Sequence, residues 1–182
     1  MSPHARAVAV CLLPLAAACA SGTSAGAGTP STTYVQGDGR AMAITTTRNA
    51  PAPVEGTVLA PIDKVWSVLP PVLEEMGIAV TTIVSAEYRA GNDHVVARRR
   101  LGKESLGRLF DCGSSLGQPN AETYEITMSV MTKLEDRDGN TGVLTTVDAT
   151  ARPVNFTNEP IACRSLGVLE KRISAALAQR AP

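Results

Sequence analysis

The sequence has few aromatic residues, few histidines and no excess of charge of either sign. Phe, Trp and Tyr make up 3% of the 182 residues, and there are one Trp and two His. Lys+Arg and Asp+Glu both number 17, which argues against a nucleic-acid-binding protein because such proteins usually carry a basic excess. No apolar run approaches the roughly 18 residues of a membrane-spanning helix. With 44% hydrophobic and 19% charged residues, the composition is typical of one globular domain.

The first 18 residues have the pattern of a secretory signal peptide. His4 and Arg6 precede an apolar segment, residues 7–18, which is too short to span a membrane. The segment ends in LAAAC at residues 15–19, which resembles the lipobox of bacterial lipoproteins. One departure is that Ala16, not Leu15, stands three positions before the cysteine. Ordinary cleavage after Ala20, which fits an A-x-A pattern, is the alternative and predicts a freely secreted protein.

The lipobox resemblance implies that Cys19 carries lipid. The chain is then cleaved before Cys19, whose sulfur bears a diacylglycerol group, and the new amino terminus is acylated; only cysteine offers the thiolate for this thioether. Residues 19–37, rich in Ala, Gly, Ser and Thr, predict a flexible tether to a single domain over residues 38–182. Ala20 is not the Asp that retains enteric-type lipoproteins in the inner membrane. The resemblance thus implies a lipid-anchored protein of the cell envelope, at the outer membrane and facing the periplasm if the organism has one.

Two cysteines remain in the folded part, Cys112 and Cys163. An oxidising compartment outside the cytoplasm predicts that they form one disulfide, and both lie in Gly-, Pro- or Asn-bearing stretches that suit a bridge between loops. The alternatives are two unpaired thiols or a metal pair, and neither histidine is close to the cysteines in sequence.

The hydrophobic periodicity predicts an α+β domain with a mostly antiparallel sheet. Strands are expected at residues 40–48, 54–59, 78–84, 93–100, 123–134 and 141–151, with a turn over residues 136–140. An amphipathic helix is expected over residues 62–76, after the second strand, and Pro70-Pro71 predicts that it is kinked or divided into two. Residues 102–110 are expected to hold a short helix. The C-terminal helix, residues 164–179, is expected to pack on the sheet.

One stretch adds a resemblance to known folds. The sequence VEGTVLAPIDKVWSVLPPVLEEMGI, residues 54–78, resembles the opening of helix-grip domains of the START-like kind. It also resembles the compact domains of a lipoprotein component of the outer-membrane β-barrel assembly machine. In both, a C-terminal helix packs across an antiparallel sheet. The resemblance covers about 25 residues and the order of elements, and it transfers no functional residue.

Sequence motifs for catalysis, metals or cofactors are absent. GxSxG, HExxH, P-loop and GxGxxG patterns do not occur, so no cofactor, no metal and no catalytic residue is predicted. After removal of the signal, His94 is the only histidine, and it is interpreted as a surface residue beside Asp93 rather than a general base. The protein is therefore not expected to be an enzyme.

The one cluster of charge is Arg98-Arg99-Arg100. If this stretch is a strand, Arg98 and Arg100 point to one face and Arg99 to the other. The cluster is a candidate docking patch for anionic lipid headgroups, a cell-wall polymer or an acidic envelope protein. The alternative is a solubilising strand whose charges protect a sheet edge.

The sequence predicts a membrane-anchored envelope lipoprotein with a non-catalytic structural or interaction role. The alternative is a START-like carrier that holds a small apolar ligand between the sheet and the last helix. A carrier needs an apolar cavity, and the few large residues are required to fill that space. A closed core is therefore expected, packed by Trp66, Leu69, Met128, Val130, Leu169 and Ile173.

Overall fold

The structure is a computed structural model that describes residues 29–37, 40–48, 53–154 and 159–181. The predicted signal peptide and Cys19 lie outside the described residues. Within them the strands are β1 Thr29–Gly37, β2 Arg40–Arg48, β3 Val54–Val58, β4 Thr82–Val84, β5 Arg89–Arg98, β6 Arg100–Leu101, β7 Glu104–Ser105, β8 Phe110–Asp111, β9 Ser114–Ser115, β10 Gln118–Pro119, β11 Glu125–Arg137, β12 Asn140–Arg152 and β13 Ile161–Ser165. The helices are α1 Ile62–Glu75, α2 Leu106–Leu109, α3 Asn120–Thr123 and α4 Val168–Arg180.

Nine strands form one antiparallel sheet in the order β7-β6-β5-β11-β12-β13-β8, in which β4 also pairs with β5 and β3 with β12. Helices α1 and α4 contact each other and pack on this sheet. The predicted α+β class, with an early helix and a C-terminal helix on an antiparallel sheet, is confirmed. Strands β1 and β2 pair separately as a hairpin, and β1 falls within the stretch assigned to the tether.

The centre of the sheet is the long hairpin β11–β12. Along β11, Ile126, Met128 and Val130 are buried, whereas the intervening residues are more exposed, as the alternating pattern predicts. The predicted turn is present, with Arg137 opposite Asn140. Asp138 and Gly139 between them have φ values of +54° and +83°, which is the backbone that a two-residue hairpin turn requires.

Helix α1 is one continuous helix, so the expectation that Pro70-Pro71 divides it in two is wrong. Each proline removes only its own backbone N–H, and the apolar face of the helix is held against the core on both sides of the pair. Val65 and Leu69 before the prolines and Val72 and Leu73 after them are all buried. Tertiary packing outweighs the local cost of proline here.

The ends of several predicted elements differ from the structure. Residues 78–81 are not in a strand, and only β4 remains of that prediction. The predicted strand 93–100 is longer at its start and ends at Arg98. The last helix begins at Val168 and not at residue 164, because Ile161–Ser165 form β13. Gly167, with a φ of +72°, separates the strand from the helix.

The predicted core is correct for five of its six residues. Leu69, Met128, Val130, Leu169 and Ile173 are at most 3% exposed, so apolar side chains fill the space between the sheet and the helices. Trp66 is the exception, since it is only half-buried and lies at the margin of the core. Its ring packs edge-to-face on Tyr88, with centroids 5.7 Å apart.

Candidate functional site

The structure joins Cys112 and Cys163 in a disulfide. Cys112 lies in the loop that follows β8, as expected, whereas Cys163 lies in a strand and not in a loop. The two are at opposed positions, because Asp111 of β8 pairs with Arg164 of β13 and the cysteines are the next residues along. Cys163 is itself part of β13 and lies opposite Ala149 of β12. The bridge therefore fastens the irregular segment after β8 to the main sheet rather than to the start of the last helix.

Polar contacts surround the disulfide. Arg164 forms an ion pair with Asp111 at 3.1 Å, and the Gly113 backbone N–H donates to the Asp111 carboxylate at 3.0 Å. These two contacts lower the pKa of Asp111 below its ordinary value, and the Gly113 hydrogen bond contributes most to the shift. On the buried side, the Asn120 amide donates to the Cys112 carbonyl at 3.0 Å. The segment after β8 is thus held by covalent, ionic and hydrogen bonds.

The three predicted docking residues lie on a tight turn, not along one strand. Arg98 ends β5, Arg100 begins β6, and these two residues are directly paired with each other. Arg99 between them has a φ of +64°, an uncommon conformation for a non-glycine residue. Its carbonyl accepts a hydrogen bond of 2.9 Å from the Leu106 N–H at the start of α2. The expectation that the three arginines follow one another along a strand is therefore wrong. Arg98 and Arg100 still share a face, because directly opposed residues of an antiparallel pair point to the same side of the sheet. We call Arg98–Arg100 the arginine turn.

All three arginines of this turn are exposed, and none forms an ion pair with a carboxylate of the described residues. The Arg100 guanidinium donates to the Lys103 carbonyl within the same β6–β7 hairpin. Arg98 lies in a row across three strands with Glu125 of β11 and Arg152 of β12. Arg152 also has no ion-pair partner among the described residues, so cations outnumber anions in this row.

The arginine turn does not protect an open sheet edge. Arg98 has β11 on one side and β6 on the other, and Arg100 lies between Arg98 and Ser105 of β7. The backbone at both positions is already within the sheet. The edge-protection alternative therefore finds no free edge at these residues.

A surface groove of about 400 Å³ lies between the C-terminal end of α1, the β6–β7 hairpin and α4. Its floor includes Leu101, Leu109 and Leu169, and charged side chains form its rim. Glu104 bridges Arg172 at 2.6 Å and Arg108 at 3.6 Å, and Glu75 pairs with Arg180, so three of the four charged rim residues are already paired. The groove is open and of mixed polarity, unlike the enclosed apolar cavity that a carrier of apolar ligands uses.

The described residues contain no group of three or more His, Cys, Asp or Glu side chains able to hold a metal ion. His94 is exposed, and its backbone N–H donates to the side chain of Asn92 at 2.7 Å. The same Asn92 is buried and donates to the Ala79 carbonyl at 2.6 Å. Asn92 lies opposite Val130, at the point between Met128 and Val130 where the register of β5 on β11 shifts. In the part of the chain that the structure describes, no helix has the length and hydropathy to span a membrane.

Two features are not predicted by the sequence, one half-buried and one exposed. Tyr88 has a φ of +47°, and its hydroxyl donates to Asp63 at 2.9 Å, which raises its pKa above the ordinary value. Leu116 is fully exposed at the tip of the β9–β10 hairpin and has a φ of +52°. The pair Leu116-Gly117 was a readable turn signal, since Gly117 accepts a positive φ and two-residue hairpins need one at each central position.

Comparison with known proteins adds no family: no protein-family model matches the chain, and no curated protein matches it.

Proposed function

We propose that the chain is a membrane-anchored lipoprotein of the cell envelope with a non-catalytic interaction role. The anchor rests on the signal-like residues 1–18, the LAAAC sequence ending at Cys19, and the small-residue stretch that follows. Acylation at Cys19 holds the domain stably at a bilayer, because several chains together bury enough CH₂ groups where one chain is marginal. The absence of catalytic motifs from the sequence supports a role in binding rather than in catalysis.

The observation that carries the interaction role is the arginine turn. Three adjacent cations are exposed together, have no ion pair among the described residues, and lie where the sheet needs no edge protection. One of them, Arg99, adopts a backbone conformation that usually costs stability. Unfavourable backbone at an exposed, charged position indicates selection for contact with a partner. That partner carries negative charge.

The anchor is tested by intact-mass analysis of the protein purified from its own host. The expected mature chain begins at Cys19 and carries the mass of the lipid. Replacing the residue, Cys19→Ser, should block processing or move the protein from the membrane fraction to a soluble one. An unmodified Cys19 in the native protein would contradict the proposal.

The interaction role is tested by affinity capture from detergent-solubilised envelopes with the acylated protein. The variant Arg98→Gln/Arg99→Gln/Arg100→Gln should lose retained components that the parent protein captures. Its matched control is Arg89→Gln/Lys133→Gln/Arg137→Gln, which makes the same change in charge at cations that already have acidic partners. Equal losses from both triple variants would mean that net charge, not the arginine turn, is responsible.

A START-like carrier is the second candidate, and the groove beside Leu101 and Leu169 is the observation in its favour. Native mass spectrometry with lipid extraction separates the two proposals. A stoichiometric small ligand retained by the domain would favour the carrier, whereas a domain without ligand favours the interaction role. The filled space between the sheet and α4 supports the second outcome.

A further inference from the structure

An exposed leucine lies at the same end of the molecule as the arginine turn. Leu116 is at the tip of β9–β10, where Ser115 pairs with Gln118 and leaves Leu116-Gly117 as the two-residue turn. The Leu116 side chain is 105% exposed, so it is as accessible as in an extended chain. A bulky apolar residue in this position lowers stability in two ways: its apolar surface stays in water, and its positive φ brings a steric cost.

A continuous path of contacts connects this tip to the arginine turn. The Ser115 hydroxyl lies 3.1 Å from the Tyr124 hydroxyl, and Tyr124 precedes Glu125, the strand partner of Arg98. A second path runs through α2 and α3: the Leu106 N–H binds the Arg99 carbonyl, and the Glu122 side chain lies against Gly107. The hairpin is held in place at its base, because the Asn120 N–H donates to the Gly113 carbonyl at 2.9 Å.

Three further exposed residues lie at this end, two cations and one apolar residue. Arg152, opposite Glu125 in β12, is an exposed cation without an ion pair among the described residues, and Val154 two residues later is 44% exposed. Lys103 adds a cation at the tip of the β6–β7 hairpin. We define the docking end as the arginine turn, Lys103, Arg152, Val154 and the β9–β10 hairpin. The acidic residues nearby are Asp111, Glu104, Glu122, Glu125 and Glu159, of which Asp111 and Glu104 are already bound to arginines.

We propose that the docking end binds the surface of a membrane that contains anionic lipids. The cations contact the negative headgroups, while Leu116 enters the boundary between headgroups and acyl chains. Unpaired cations at the same end as a projecting apolar side chain match the two layers of such a surface, which is negative outside and apolar beneath. This inference rests on the proposed envelope location, and it adds a contact between the domain itself and the lipid that does not use the acyl anchor.

The contact is tested by sedimentation of the full-length chain with vesicles. All proteins carry Cys19→Ser, so that acylation is prevented and residues 1–18 contribute equally to every measurement. Vesicles of phosphatidylcholine alone are compared with vesicles that also contain phosphatidylglycerol. The parent chain should bind the anionic vesicles more strongly, and raising the salt concentration should weaken that gain.

Two variants and two matched controls decide the result. Leu116→Asn should lower the partition coefficient about tenfold, as expected for removal of a buried leucine from the acyl region. Asn adopts positive φ readily, so this variant should keep or gain thermal stability, which separates lost binding from lost folding. Leu59→Asn is the control, because Leu59 is 84% exposed but follows Val58 at the opposite end of β12. In the arginine-turn triple variant, the partition coefficient on anionic vesicles should fall about fivefold for each arginine removed. In the Arg89/Lys133/Arg137 triple variant it should fall much less.

Equal effects of Leu116→Asn and Leu59→Asn would overturn the proposal, as would binding that does not depend on phosphatidylglycerol. The proposal would also be overturned if the arginine-turn variant no longer captured an envelope protein but still bound vesicles as the parent does. That result would assign the turn to a protein partner. Failure of the anchor is a separate result, because it is detected by the mass of the native Cys19 and does not affect vesicle binding by the Cys19→Ser chain.

Discussion

The two ends of the β11–β12 hairpin follow local sequence rules to very different degrees. At the turn end, Asp138 and Gly139 adopt the positive φ values that such residues favour. Charges there are also satisfied, since Arg137 lies 3.5 Å from Glu55 and 3.9 Å from Glu135. At the docking end, an arginine and a leucine occupy positive-φ positions, and the cations of the arginine turn have no ion pair among the described residues.

This difference separates turn residues that suit their backbone conformation from turn residues that do not. At the Asp138-Gly139 turn, sequence and backbone agree, and such agreement is what stability requires. Tyr88, whose carbonyl accepts from the Leu134 N–H at the same end, also has a positive φ, but its hydroxyl is bound to Asp63. The positive φ values of Arg99 and Leu116 reverse the chain at a cost in stability, and violations of this kind concentrate at functional sites. The disulfide and its neighbouring contacts hold the docking end in place despite these costs.

The largest expected effect is on the disulfide. The double variant Cys112→Ala/Cys163→Ala releases a loop with a sequence separation of 51, for which the chain-entropy model predicts a loss of about 4 kcal/mol in the free energy of unfolding. Denaturant unfolding of parent and variant measures the loss, and hydrogen exchange should show that the docking end opens before the turn end. Titration of the unfolded, unreduced, acylated protein should find no free thiol; two free thiols would refute the bridge.

Glycine substitutions should act in opposite directions at the two ends. Arg99→Gly and Leu116→Gly should each raise the free energy of unfolding by up to about 1 kcal/mol, because glycine adopts positive φ without steric cost. Gly139→Ala, at a φ of +83° in the turn end, should lower it by about 1 kcal/mol. Thermal unfolding of the three variants provides the comparison. If Arg99→Gly and Leu116→Gly both destabilise the protein, these residues serve the fold and not a partner.

The smallest expected effect is the pH dependence of the Asp111–Arg164 contact. Because the folded state lowers the pKa of Asp111 below its ordinary value of 3.8, its contribution to stability is present above that value. The contribution is lost as the pH falls through the lowered pKa. Asp111→Asn should therefore be less stable than the parent near neutral pH, and the two should converge in strong acid. A difference that stays constant down to strong acid would mean that the carboxylate charge contributes nothing.

The regular parts of the fold were predictable because their sequences carry the period of the element. The alternation along β11 and the apolar stripe of α1 both identify the face that is buried. The pairing of Cys112 with Cys163 was predictable from the number of cysteines together with the predicted oxidising compartment. Helix α1 shows the limit of a local rule, since packing on both sides of Pro70-Pro71 keeps the helix whole.

The candidate site was predictable in its residues but not in its geometry. Arg98-Arg99-Arg100 was identifiable as a charge cluster. A sequence of three arginines, however, does not indicate that the chain reverses at Arg99. A non-glycine residue takes positive φ only when its surroundings impose it, here through the pairing of Arg98 with Arg100 and the hydrogen bond from Leu106. The exposure of Leu116 was not predictable either, because leucine normally indicates burial.

The most direct test of the account compares hydrogen exchange of the acylated protein in native envelope vesicles with exchange in detergent. The account predicts that the vesicles protect the docking end, in particular the backbone amides around Arg99 and Leu116. The turn end, around Leu59 and Asp138, should exchange equally in both. Protection confined to the turn end, or equal exchange throughout the domain, would contradict the claim that the docking end is the interaction surface.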